Sequence, residues 1–126
     1  MIYGIGIDLV EIQRIKDMDN PVKFAEKILS DSEFKLFKEK SSEVQAIFLA
    51  KQFAAKEAVV KALGTGFTAN TYPKDISILR NAEGSPELQF SETLQEMVNN
   101  LGIKSWHVSL ADERTHAIAM VVLEQK

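Results

Sequence analysis

No cysteine occurs anywhere in the 126 residues. Disulfides, thiolate metal centres and a cysteine nucleophile are thereby excluded, and such a composition suits a reducing compartment. No apolar run approaches the ~20 residues that a membrane-spanning helix needs. The chain opens on an alternating pattern instead of the basic and then apolar stretch of a secretory leader. A soluble, cytoplasmic protein without a membrane partner is expected. A surplus of positive charge is also lacking: 15 Lys and Arg against 18 Asp and Glu leave a net charge of −3. That balance argues against bulk capture of nucleic acid. Repeats, linkers and low-complexity segments are absent. What remains is a globular composition in a chain long enough to bury roughly two-thirds of its unfolded surface without a covalent staple. One domain spanning residues 1–126 is expected.

The elements follow from periodicity. Ile2 to Val10 alternates, with Ile5, Ile7 and Leu9 on one face and Gly4, Gly6 and Asp8 on the other. This reads as a half-buried strand whose second face is almost bare backbone. Helical patterns follow over Glu11–Met18 and Pro21–Leu29, and Pro21 suits a first helical turn. A third helix is capped by Ser30 or Asp31, with Glu33 at capping-box spacing from Ser30. The longest pattern runs from about Glu43 to Leu63 and closes on Gly64. It is apolar all round, with six alanines among its residues, as expected of a centrally buried helix. Strands are expected over Ile76–Leu79 and Glu87–Phe90, then a capped helix over Ser91–Leu101. A final hairpin joins Ser105–Leu110 to His116–Leu123. The fold class is α+β, a mainly antiparallel sheet packed against a long central helix and smaller helices.

Few residues are placed to do chemistry. Asp8 stands on the glycine face, where another backbone or a ligand can approach closely. A carboxylate there must be solvated, paired or bound to a cation; by position alone it reads first as a cap for a helix starting near Glu11. In the long helix, Ala50, Ala54, Glu57 and Lys61 share one stripe about 60° wide. Two charges on an alanine stripe suit a small polar ligand, or they form an ordinary i,i+4 pair. His107 and Ser109 share a strand face, either as hydrogen-bonded structural residues or as ligands. No dinucleotide fingerprint, no Walker-type phosphate loop and no Ser/His/Asp triad is present. Arg14, Lys16, Lys23 and Lys27, interleaved with Met18, Val22 and Phe24, form a local basic stretch. It is a solvated helix face or a docking surface for an acidic protein.

Taken together, YGIGIDLVEI, FLAKQFAAKEAVVKALGTGF and WHVSLADERTHAIAMVV resemble the holo-[acyl-carrier-protein] synthases, the short bacterial type of the 4′-phosphopantetheinyl transferase family. The resemblance covers nearly the whole chain in order, and its F-A-x-K-E-A-x-x-K-A-x-G-T-G segment is the most specific part. It implies transfer of the phosphopantetheine arm of coenzyme A to a serine of apo-acyl-carrier protein, releasing adenosine 3′,5′-bisphosphate. It implies Mg²⁺ held by Asp8 and Glu57, which suits an ion that takes one or two carboxylates, waters and phosphate oxygens. By the same resemblance Lys61 meets the coenzyme phosphates, with Lys56, Gly64, Thr65 and Gly66 around the same site. Homotrimers with sites at subunit boundaries are implied, His107 and Ser109 coming from the neighbour. Glu57, Lys61 and His107 are then the residues closest to the chemistry. Arg14, Met18, Lys23, Phe24 and Lys27 are the expected carrier-protein face.

Two departures stand out. Ala111-Asp112 occupies the place of a common Ser/Thr-His, and Gln52 that of a common arginine, with Lys51 beside it to supply the charge. The competing reading is a non-catalytic module that binds coenzyme A or an acidic carrier. Retention of Asp8, Glu57 and Lys61 together speaks against it. The two-halved, broad-specificity transferases are about twice this length.

Overall fold

The computed structural model describes residues 1–68 and 70–126. In chain order the elements are β1 (Ile2–Glu11), α1 (Ile12–Lys16), α2 (Pro21–Ile28), α3 (Asp31–Lys38), α4 (Ser42–Leu63), a 3₁₀ turn (Pro73–Asp75), β2 (Ile76–Arg80), β3 (Pro86–Phe90), α5 (Glu92–Asn100), β4 (Ile103–Asp112) and β5 (His116–Gln125). Among the described residues the strands form two antiparallel sheets, one ordered β1-β5-β4 and the other the β2-β3 hairpin. The α+β expectation holds, as does the final hairpin. Among the described residues no helix is long and apolar enough to cross a membrane.

The core is organised by α4. Twelve of its residues are buried, Leu49, Ala50, Ala54, Ala55, Ala58 and Val59 completely. Against it lies one face of the three-stranded sheet, where Ala117, Ala119, Val121 and Leu123 of β5 are fully buried. Small side chains on both sides let helix and sheet close tightly.

β1 corrects the expectation drawn from its alternation. The bare face is the buried one, and Ile5, Ile7 and Leu9 point outward, 67%, 55% and 61% exposed. The reason is close approach. A Cβ at Gly6 would lie 1.8 Å from the Ala58 carbonyl oxygen, and one at Gly4 would lie 2.0 Å from that of Ala62. Only glycine admits the α4 backbone there. The isoleucines share the outer sheet face with Ile118, Met120 and Val122, and across β5 with His107 and Ser109.

β1 also runs on to Glu11, paired with His116, so α1 is shortened to five residues. Asp8 therefore sits in mid-strand opposite Ala119 and caps no helix. At the other end of α4, Gly64 adopts φ +81 and its N–H reaches the Val60 and Lys61 carbonyls. This is the left-handed cap that the sequence called for.

Candidate active site

The antiparallel run of α4 along β1 brings Asp8 into a cluster with Glu57 and Lys61. The Lys61 ammonium donates to Asp8 Oδ1 and to the Ile7 carbonyl, both at 3.0 Å. Its side chain stays half exposed, whereas that of Asp8 is mostly covered. Glu57 lies within the field of both. Burial pushes its carboxyl above the ordinary carboxylate range, the Asp8 charge pushes in the same direction, and Lys61 only partly offsets them. The alanine stripe is thus open over its last turn alone, since Ala50 and Ala54 are fully buried.

Two carboxylates within one another's field, one of them resisting ionisation, form a donor set suited to a hard divalent cation. Such an ion takes one or two carboxylates and completes its shell with water and phosphate oxygens. Among the described residues no group of three or more His, Asp or Glu converges, so the closed sites typical of structural zinc find no donors here.

The other candidate residues fall in three places. Gly64, Thr65 and Gly66 form the turn directly beyond Lys61, with Gly64 and Gly66 at positive φ. Their amides gather on the Val60 carbonyl oxygen at 3.0, 3.2 and 3.4 Å. His107 and Ser109 lie on the outer sheet face, whereas Asp8 faces inward toward α4. His107 Nε2 is 2.7 Å from Glu124 Oε1. One chain does not bring them to the cluster. Arg14, Lys23 and Lys27 are exposed on α1 and α2, with Met18 and Phe24 half-buried between them. Phe24 packs edge-on against Phe53 at 5.4 Å, one helical turn before Glu57. The basic face therefore adjoins the cluster.

Lys56 is a correction. Its side chain is completely buried and its ammonium is committed to Glu33 Oε1 at 2.7 Å, the Pro73 carbonyl at 3.0 Å and the Ile76 carbonyl. All three donors are used, so none remains for a ligand. Gln52 is likewise buried, donating to Glu33 Oε2 at 2.6 Å and the Ile78 carbonyl at 2.9 Å. Lys51, beside it, pairs with Asp112 at 3.1 Å.

A groove absent from the sequence expectations runs between α3, the first half of α4 and β2. Its volume is about 500 Å³, and it is lined by apolar Leu36, Val44, Ile47 and Phe48 together with cationic Lys40, Lys51 and Arg80. Lys40 lies 5.0 Å from the centre of the Phe48 ring. Apolar and cationic lining together suit a ligand with a flat apolar part and anionic groups. Lys51 and Glu57 are six residues apart, roughly 9 Å along the helix axis. The basic positions were visible in the sequence, but their convergence depends on β2 returning beside α4.

Comparison with known proteins decides the family. Residues 4–121 match the model of the 4′-phosphopantetheinyl transferase superfamily. The chain belongs to that superfamily. It is 42% identical over 127 residues to the holo-[acyl-carrier-protein] synthase of Blochmanniella pennsylvanica, covering 99% of this chain and 100% of that one. The crystal structure of the Neisseria meningitidis synthase superposes with a TM-score of 0.92 at 36% identity, over 99% of this chain and 100% of the other. A Bacillus anthracis synthase in complex with CoA (3′,5′-ADP) gives 0.85 at 36% identity, over 100% and 99%. The glycines on the buried face of β1 let the α4 backbone approach closely, which brings Glu57 within the field of Asp8.

Proposed function

We infer that this chain is a holo-[acyl-carrier-protein] synthase. It transfers the 4′-phosphopantetheine group of coenzyme A to a serine of an apo-acyl-carrier protein. The serine oxygen bonds to the phosphorus that carries the pantetheine arm. The phosphoanhydride bond breaks, and its electron pair leaves with adenosine 3′,5′-bisphosphate. The observation that carries this reading is the Asp8–Glu57–Lys61 cluster. Packing alone does not call for two carboxylates within one another's field, whereas a diphosphate substrate brought in with a divalent cation does.

Asp8 and Glu57 are the residues that would hold Mg²⁺, and the ion would supply charge neutralisation on the leaving phosphate. Lys61, half exposed above Asp8, turns its remaining donor capacity to the phosphate oxygens and stabilises the same charge from the protein side. The Gly64-Thr65-Gly66 turn borders this end of the coenzyme, and Lys56 is left out because its ammonium is spent elsewhere. The groove lined by Lys40, Lys51 and Arg80 receives the nucleotide end. The serine proton has Glu57 and His107 as acceptors within the protein.

The working form is a homotrimer. Exposed Ile5, Ile7, Leu9 and Met120 form an apolar face of a kind that monomers seldom leave uncovered. His107 and Ser109 share that face, so a neighbour seated on it supplies them to a site that one chain leaves incomplete. Arg14, Met18, Lys23, Phe24 and Lys27 receive the acidic carrier next to Glu57. A cytoplasmic setting suits a cysteine-free enzyme of this substrate class. The test is incubation with apo-carrier protein, coenzyme A and Mg²⁺, followed by intact mass. A gain equal to the phosphopantetheine arm is expected, and binding without that gain would contradict the reading.

A further inference from the structure

The groove has three walls from three elements: α3 contributes Leu36, α4 Phe48 and Lys51, and β2 Ile78 and Arg80. Beneath it one buried carboxylate touches all three. Glu33 of α3 accepts from Lys56 and Gln52 of α4. It also accepts from the Ile78 amide of β2 at 3.1 Å and from its own cap, the Ser30 amide, at 2.9 Å. Lys56 and Gln52 extend the connection to the carbonyls of Pro73, Ile76 and Ile78. Glu33 and Lys56 are wholly inaccessible, and among the described residues no buried side-chain polar atom lacks a partner. A structural ion pair in a core is weak evidence for stability, because apolar replacements often do as well. What this one supplies that an apolar cluster would not is direction. Its bonds have fixed lengths and angles to backbone atoms on either side of the groove.

We propose that Glu33, Gln52 and Lys56 are positioning residues that set the width of the groove and thereby the affinity for the nucleotide part of the coenzyme. This rests on the reading of the groove as the nucleotide site. The Asp8–Glu57–Lys61 cluster depends on a different contact, the close approach of Gly4 and Gly6 to the Ala62 and Ala58 backbone. The network therefore acts on one substrate and leaves the metal and the carrier protein alone. A groove no longer held in its binding shape must be ordered by the ligand, at a cost in affinity.

The test removes both charges together with Glu33→Gln/Lys56→Met, which leaves no unpaired buried ion and keeps an acceptor at position 33. Calorimetric binding of adenosine 3′,5′-bisphosphate and steady-state kinetics are compared with wild type, after a cooperative melt has confirmed folding. The dissociation constant and the KM for coenzyme A should each rise about tenfold, the size of effect expected from lost preorganisation. The KM for carrier protein and the half-saturating Mg²⁺ concentration should stay within about twofold. Unchanged nucleotide affinity in the folded double variant would overturn the proposal, as would equal rises in both KM values. Should the double variant not fold, Ser30→Ala removes the Ser30 hydroxyl's bonds to Glu33 and Ser77 and its 3.4 Å contact with Ser32. A rise of about threefold in the nucleotide dissociation constant is then expected, and no rise would equally overturn it. If wild type itself adds no mass to the carrier, it is the transferase reading that fails, while nucleotide binding still reports on the network.

Discussion

Helix α4 carries two lysine–carboxylate pairs five residues apart, Lys56 with Glu33 and Lys61 with Asp8. The first is wholly enclosed, every donor and acceptor matched. Burial lowers the Lys56 pKa, and Glu33, by its charge and its hydrogen bond, only partly restores it. The second is open on the lysine side, and a further carboxylate, Glu57, stands beside it with its charge only partly offset by Lys61. Saturation marks a pair that holds the fold, whereas excess charge left next to solvent marks a pair that awaits a ligand. In a linear sequence both are simply a lysine on a helix.

Substituting each lysine should separate the two roles. Lys56→Ala leaves Glu33 buried without its cation and should cost about 3–5 kcal/mol in urea denaturation. Lys61→Ala removes a partly exposed pair and should cost about 1 kcal/mol or less, yet lower the transfer rate by ~10²-fold or more. Similar stability losses in the two variants would erase the distinction.

The glycine face tests what keeps the open pair in place. Gly6→Ala puts a methyl where the Ala58 carbonyl oxygen lies. Overpacking of this kind costs about 1–3 kcal/mol, and α4 must move off β1. Transfer should fall further than Lys61→Ala alone would explain if Asp8 and Glu57 separate. A stable Gly6→Ala variant with wild-type turnover would show that the spacing is not critical.

The basic face should affect only encounter. Arg14→Glu with Lys23→Glu should raise the KM for carrier protein about tenfold and leave that for coenzyme A unchanged. Wild-type activity should decline with added salt, because attraction is screened over roughly 8–10 Å at physiological ionic strength. The variant should lose that salt dependence. Steady-state kinetics at two salt concentrations settle it.

The smallest effect concerns Glu57 itself. Its carboxyl titrates above the ordinary 4.5 in the folded chain, so the unfolded chain loses this proton first as pH rises. Metal-free stability should therefore fall as pH rises from about 4.5 through the folded pKa. Glu57→Gln should lack this fall and be the more stable protein at pH 7.5 without metal. Urea melts at pH 4.5 and 7.5 provide the comparison, and a wild type whose stability rises over that interval as much as the variant's would refute it.

Much of this architecture could be read from the sequence, because its signals are local. Gly64 closes α4, Ser30 and Glu33 open α3, and the alternation of β4 and β5 marks a hairpin. The stripe of Glu57 and Lys61, and Asp8 on a glycine face, also follow from periodicity. What stayed hidden depends on which element packs where. Ile5, Ile7 and Leu9 look like core residues until the glycines beside them are seen to admit a helix backbone. Glu33 serves as a capping residue at the sequence level and acquires its buried role only when α4 and β2 arrive. Lys56 and Lys61 lie in one motif, and the helix turn between them sends one inward and the other toward Asp8.

The most direct measurement is intact mass of the carrier protein after incubation with Glu57→Ala, coenzyme A and Mg²⁺, beside wild type and with melting curves for both. Wild type should add the phosphopantetheine arm, and Glu57→Ala should add none while melting at or above the wild-type temperature. Transfer by the folded Glu57→Ala protein within a few-fold of wild type would contradict the assignment of the open cluster as the active centre.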